Sequence, residues 1–163
     1  MKSLLISLPD ALATQHLGEM LGRDLPAGST ILLEGQLGAG KTTLIRGLAR
    51  GLGLKEAIVS PTFNLINEYH EGRLPLYHFD LYRLSPAEVE NIYPEIYWEA
   101  KEVASGITAI EWSQRLPYKP QDRLEICLVY ARDLERKASI SAIGNVSINL
   151  NSLSLEFKIP DPD

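Results

Sequence analysis

The chain has 163 residues, 45% of them hydrophobic and 23% charged, with a formal net charge of -5. A chain of this length serves about one core, so a single domain over 1–163 is expected, and the balance excludes a disordered or fibrous protein. The negative charge excludes a protein that grips nucleic acid mainly through its own basic surface, because phosphate contacts need concentrated Lys and Arg; an RNA partner would be met through another subunit.

The first residues, MKSLLISLPDALATQHLGEM, hold a short apolar run broken by Pro9 and Asp10, with no cleavage-site pattern behind it. No stretch approaches the roughly 18 consecutive apolar residues of a membrane span. The one cysteine, Cys127, has no internal disulfide partner, and the expected location is the reducing cytoplasm. Pro9-Asp10 opens a helix in which Leu12, Leu17, Met20 and Leu21 recur at helical spacing, with Gly22 near its end. STILLEG follows as a nearly continuous apolar run, the pattern of a strand covered on both faces. KTTLIRGLARGLGL returns to helical spacing through Leu44, Leu48 and Leu52, with Gly51 and Gly53 as terminators.

Phe63 to Asp80 reads as a hairpin turning at Glu71-Gly72. Ser85-Pro86 starts a helix, with Glu88 placed to complete a capping box, and Tyr93-Pro94 ends or bends it. A second helical stretch runs from Glu95 to Ala104. ITAIEW reads as a short strand, and DRLEICLVY and KASISAIG read as strands flanking the charged turn ARDLER. Residues 145–163 form an unassigned extension, with one more strand expected around Leu153 to Phe157 and a polar PDPD end.

Gly35-Gln36-Leu37-Gly38-Ala39-Gly40-Lys41-Thr42 fits the phosphate-loop spacing GxxxxGK[ST], between the required strand and helix. Its glycines let backbone amides turn inward, the following helix starts with unpaired amides, Lys41 reaches the β and γ oxygens, and Thr42 supplies a hydroxyl to Mg²⁺. Asp80, at the end of LPLYHFD, is a candidate Mg²⁺ partner, with a capping aspartate as the alternative. His78, two positions earlier on the same strand face, reads as structural. Thr62 of Ser60-Pro61-Thr62 is a Mg²⁺ or γ-phosphate contact, or else a turn former. Glu111 ends the strand ITAI, where acidic residues face the ligand crevice; it orients a water or completes the Mg²⁺ shell, unless it only makes a surface salt bridge. Trp112 beside it reads first as a packing residue and second as a partner or nucleotide contact, and Arg83 is a weak candidate for charge neutralisation. No NKxD stretch occurs, which favours ATP over GTP.

Together, GQLGAGKTT, SPTFNLINEY, YHFDLYRL and IEW, in this order, resemble the bacterial TsaE (YjeE) family from about Thr14 through Gly144. The resemblance implies an α/β P-loop NTPase fold with a mostly parallel central sheet flanked by helices. It implies a protein that binds ATP and Mg²⁺, hydrolyses ATP slowly alone, and docks on the TsaB-TsaD heterodimer. That complex transfers threonylcarbamoyl to an adenosine beside the anticodon of tRNAs that read codons beginning with A, and the ATPase supports its turnover. By the same resemblance Gly35, Leu37, Gly38, Ala39, Gly40, Lys41, Thr42, Thr43, Trp112 and Thr14 are expected to hold the nucleotide. Lys41, Asp80 and Glu111 are expected to carry hydrolysis, and Thr42, Thr62, Asp80 and Glu111 to hold the metal.

Two features depart from the family pattern. Gln36 stands where relatives usually carry aspartate, which bears on hydrolysis or coupling, and residues 145–163 continue past the usual end, where they could cover a sheet edge or touch a partner. A small-molecule kinase of the P-loop class is the alternative, but Arg115, Arg123 and Arg132 form no recognisable lid. A noncatalytic nucleotide-dependent binding module ranks third.

Overall fold

The computed structural model describes residues 1–61 and 64–157. In chain order the elements are β1 (Lys2–Leu8), α1 (Ala11–Asp24), β2 (Thr30–Glu34), α2 (Lys41–Gly51), β3 (Ile66–Tyr69) and β4 (Leu76–Asp80). After these come α3 (Pro86–Glu90), α4 (Glu95–Trp98), β5 (Ile107–Glu111), a 3-10 turn over Ser113–Arg115, β6 (Arg123–Tyr130), β7 (Arg136–Ile143) and α5 (Leu150–Glu156).

The strands form one 7-stranded sheet in the order β1-β7-β6-β2-β5-β4-β3. β6, β2, β5 and β4 run parallel to one another, whereas β7, β1 and β3 join antiparallel. The α/β architecture is therefore the expected one, with its parallel strands gathered at the centre of a mixed sheet. β2 is buried on both faces: Ile31 and Leu33 join the core shared with Leu17, Leu21, Leu44 and Leu48 of α1 and α2, and Leu32 joins the core that holds Val89, Tyr97 and Trp98. Burial on both sides explains its unbroken apolar run.

Local signals act as the sequence suggests. Asp10 caps α1 by accepting from the Ala13 amide at 2.8 Å, and Ser85 and Glu88 close the capping box of α3. β3 and β4 form the hairpin, with Asn67 opposite His78.

As expected, Gly22 lies near the end of α1, which runs on to Asp24. Two expectations are corrected. The helix expected over Glu95 to Ala104 is a single turn, because the chain leaves it at Ala100, whose left-handed φ of 49° a right-handed helix cannot continue through. The segment Leu153 to Phe157 is not a strand: α5 covers it, capped by Asn149, which accepts from the Ser152 amide at 3.2 Å. Leu153 is buried in the α1–α2 core, and Leu150 and Phe157 pack around it at helical spacing. The extension thus contributes a helix beside edge strand β1 rather than a further strand, and Glu156 reaches His16 of α1 at 2.7 Å. Finally, β1 itself forms a strand that the sequence reading did not single out; it buries Ile6 and Leu8 while Leu5 stays exposed at the edge. The PDPD end lies outside the described residues. Among the described residues no helix is long and apolar enough to cross a membrane.

Candidate active site

The loop from Gly35 to Gly40 leaves β2 at its carboxyl end and enters α2, and Asp80 and Glu111 end β4 and β5 at the same sheet edge. This is where α/β sheets bind ligands. Gly40 occupies the N-cap of α2 with φ 108°, a value a side chain would strain, and supplies no capping group. The first amides of α2 therefore remain available to an anion, and the helix dipole favours one there.

Lys41 is only 5% exposed. Its Nζ donates to the Gly35 carbonyl and, at 3.2 Å, to the Gln36 carbonyl, and it lies 4.2 Å from the centre of the Trp112 ring. Burial pushes this ammonium below the usual lysine range, against the opposing pull of Glu111 and Asp80. The Thr42 hydroxyl donates to Glu111 Oε1 at 3.3 Å and lies 3.4 Å from the Ser60 hydroxyl. Glu111, 3% exposed, presents its other oxygen to His78 Nε2 at 2.6 Å. Asp80 is directly opposite Glu111 in the parallel ladder and accepts from the Tyr82 amide at 3.1 Å. Burial pushes the Asp80 carboxyl above the usual range, and the neighbouring Glu111 charge adds to this.

Leu37 to Thr43, Ser60, Asp80, Glu111 and Trp112 line a cleft of about 230 Å³. Trp112 takes φ 58°, uncommon for a bulky residue, and so turns its ring between the Lys41 ammonium and Tyr82, whose ring centre is 4.8 Å away. The donor set fits magnesium with a triphosphate: a hydroxyl and two carboxylates give hard oxygen ligands, while orphan amides and a buried ammonium face the same space. Among the described residues no cluster of three or more His, Cys, Asp or Glu forms a self-sufficient metal cage.

On the far side of the loop a second, smaller cavity is lined by Ala11, Thr14, Gly38 to Gly40, Thr43, Leu134 and Arg136. Thr14 is 2% exposed and packs against Gly40. The structure thus brings Thr14, Gly38, Ala39, Gly40, Lys41, Thr42, Thr43, Asp80, Glu111 and Trp112 around one loop; Leu37 is at its exposed tip, and Gly35 accepts from Lys41. Thr62 lies outside the described residues. Gln36 does not line the cleft but lines a neighbouring cavity with Trp112, Gln114 and Cys127. Arg83 is exposed and does not line the cleft.

Sequence reasoning missed Leu134 and Arg136. Arg136 stacks 3.9 Å from the Tyr130 ring and donates to the Gly38 carbonyl at 3.4 Å. The charged run ARDLER held both, but it read only as a turn. Arg123, once a candidate for a kinase lid, starts β6 at the opposite sheet edge and is tied to Glu125 at 2.7 Å.

The family model described as "Threonylcarbamoyl adenosine biosynthesis protein TsaE" matches residues 8–138. The chain is 58% identical over 136 residues to a Nostoc sp. protein named tRNA threonylcarbamoyladenosine biosynthesis protein TsaE, covering 83% of this chain and 84% of that one. It is 38% identical over 133 residues to the protein of the same name from Bacillus subtilis, with 81% of each covered. The crystal structure of Bacillus subtilis YdiB superposes with a TM-score of 0.73 at 33% identity, over 88% of both chains. With the family model running from the end of β1 to the middle of β7 and relatives this similar along most of their length, the chain belongs to the TsaE family.

Proposed function

We propose that the chain is a Mg²⁺-dependent ATPase of the cytoplasm that supports turnover of the TsaB-TsaD complex in tRNA threonylcarbamoyladenosine modification, meeting tRNA through that complex. The observation that carries the nucleotide reading is the convergence of Lys41, Thr42, Asp80 and Glu111, from a helix start and two strand ends, on one cleft. The names of the relatives support the pathway. Leu153 packs into the core of α1 and α2, which supports reading the whole chain as one domain.

Backbone amides of the loop and the start of α2 hold the phosphates, and Lys41 exchanges its bonds to the loop carbonyls for bonds to phosphate oxygens. Thr42, Asp80 and Glu111 would hold magnesium, which supplies charge neutralisation on the β and γ oxygens when bound. Glu111, fixed at both oxygens, also orients the attacking water. Leu134 and Arg136, with Thr14, line the cavity suited to the nucleoside end.

The test titrates ATP turnover against purified TsaB-TsaD and tRNA. Turnover should rise with the complex, and modification should stall after few cycles when the chain is left out. Unchanged ATP turnover together with full modification in its absence would overturn the reading. Phosphate transferred to a metabolite, seen by mass spectrometry, would instead make the chain a kinase.

A further inference from the structure

Glu111 is held from two sides. Thr42 donates to its Oε1 at 3.3 Å, and its Oε2 lies 2.6 Å from Nε2 of His78. Strand register builds this contact: Asp80 is opposite Glu111 on the parallel neighbour, and His78 is opposite Ala109. His78, Asp80, Ala109 and Glu111 therefore share one face, and the small Ala109 leaves room for an imidazole to reach along the sheet to Glu111.

His78 has no exposed surface, and its other nitrogen, Nδ1, is buried with no hydrogen-bond partner among the described residues. A proton on Nδ1 would bury an unsatisfied N–H, whereas a bare Nδ1 buries only a weaker acceptor. The proton therefore belongs on Nε2, where it meets a carboxylate oxygen in a short, charge-assisted bond. An imidazole wedged in a strand has little rotamer freedom, so it fixes the plane of the carboxylate it holds.

We propose that His78 is a positioning residue: its Nε2–H clamps Glu111 Oε2 so that Oε1 is presented to Thr42 and the cleft. The inference rests on Glu111 acting in ATP turnover. A histidine oriented this way acts through the residue it holds, as outer partners of metal-site ligands do, and losing such a partner typically costs about 10- to 100-fold in activity or affinity.

The experiment has a spectroscopic arm and a kinetic arm. In the full-length, nucleotide-free protein, imidazole ¹⁵N shifts assigned through His78→Gln should show Nε2 protonated and Nδ1 bare. Proton occupancy on Nδ1 instead would overturn the proposal without reference to activity. In turnover, His78→Leu should lower kcat about tenfold or more with little change in KM. His78→Gln, which can offer an amide N–H near the Nε2 position, should recover a large part of that loss. In a double-mutant cycle, His78→Leu should cost little further once Glu111 is alanine. A full additive loss in that background would show that His78 acts independently of Glu111 and overturn the proposal. If His78→Leu fails to fold, His78→Gln and the nitrogen shifts still decide it. Turnover indifferent to Glu111→Ala would overturn the reading of Glu111 itself, and the positioning role with it.

Discussion

Gly47 of α2 and Gln15 of α1 meet backbone to backbone: a β-carbon added to Gly47 would lie 2.0 Å from the Gln15 carbonyl oxygen. The contact is reciprocal, since a β-carbon on Gly18 of α1 would lie 2.1 Å from the Leu44 carbonyl oxygen. Glycines on both helices let α1, which carries Thr14, lie directly on α2, which carries Lys41 and Thr42. In an isolated helix Gly47→Ala would stabilise by about 1 kcal/mol. Here overpacking of about 1–3 kcal/mol should win. A thermal melt should therefore show a lower Tm, and a raised Tm would mean that the helices can part at no cost.

Lys41→Ala should weaken ATP binding or turnover, because it removes a buried charge directed at the phosphates; losing one such electrostatic group costs about 10²- to 10³-fold in kcat at comparable sites. The same change strips the ammonium from the Trp112 ring, so Trp112 emission should shift in the nucleotide-free protein. Equal binding, hydrolysis and emission would sink the assignment.

Glu111→Ala should spare ATP binding more than turnover, as expected for a group that acts mainly in the transition state. Calorimetry for binding and phosphate release for turnover separate the two. Equal losses would move Glu111 into the binding shell.

Asp80→Asn should stabilise the nucleotide-free protein while weakening its response to Mg²⁺. Burial raises the Asp80 carboxyl above its ordinary value, so the folded state holds that proton more tightly than the unfolded chain. The resulting penalty is absent in acid, below the unfolded pKa, grows as pH rises towards the folded value, and is complete above it. Asparagine removes the penalty and keeps an oxygen for the Tyr82 amide. Melts at neutral pH should therefore favour Asp80→Asn, with the difference vanishing in acid.

Gln36→Asp should leave nucleotide binding intact and alter hydrolysis or its coupling to the TsaB-TsaD complex. Gln36 lines the cavity it shares with Trp112 and Gln114 rather than the cleft of Lys41 and Glu111. Unchanged basal and complex-stimulated turnover would show the position to be tolerant.

The phosphate loop and the caps at Asp10 and Ser85 were legible because each acts over a few residues of chain. The hairpin and the β2 run were legible for the same reason. His78 and Glu111 lie far apart in sequence, and only the β4–β5 register joins them. Arg136 was hidden similarly, since its partners Tyr130 and Gly38 are reached through folding. NSLSLEF misled for a different reason. Leu153, Leu155 and Phe157 alternate as in a strand, yet Leu150, Leu153 and Phe157 recur as in a helix, and seven residues cannot separate the two periods. The Asn149 cap decides it, and Leu155 is left 67% exposed.

Among the described residues β1 pairs with β7 alone, with Lys2 opposite Ala142 and Leu8 opposite Arg136. During synthesis β1 thus has no template until β2 to β6 have followed it and β7 has emerged, a delay on the order of ten seconds at ordinary elongation rates. Closing so long a loop costs entropy before any contact repays it. β1 is made well before its partner, and a nascent chain stalled short of β7 would expose KSLLISL as an unpaired apolar segment for chaperones to cover.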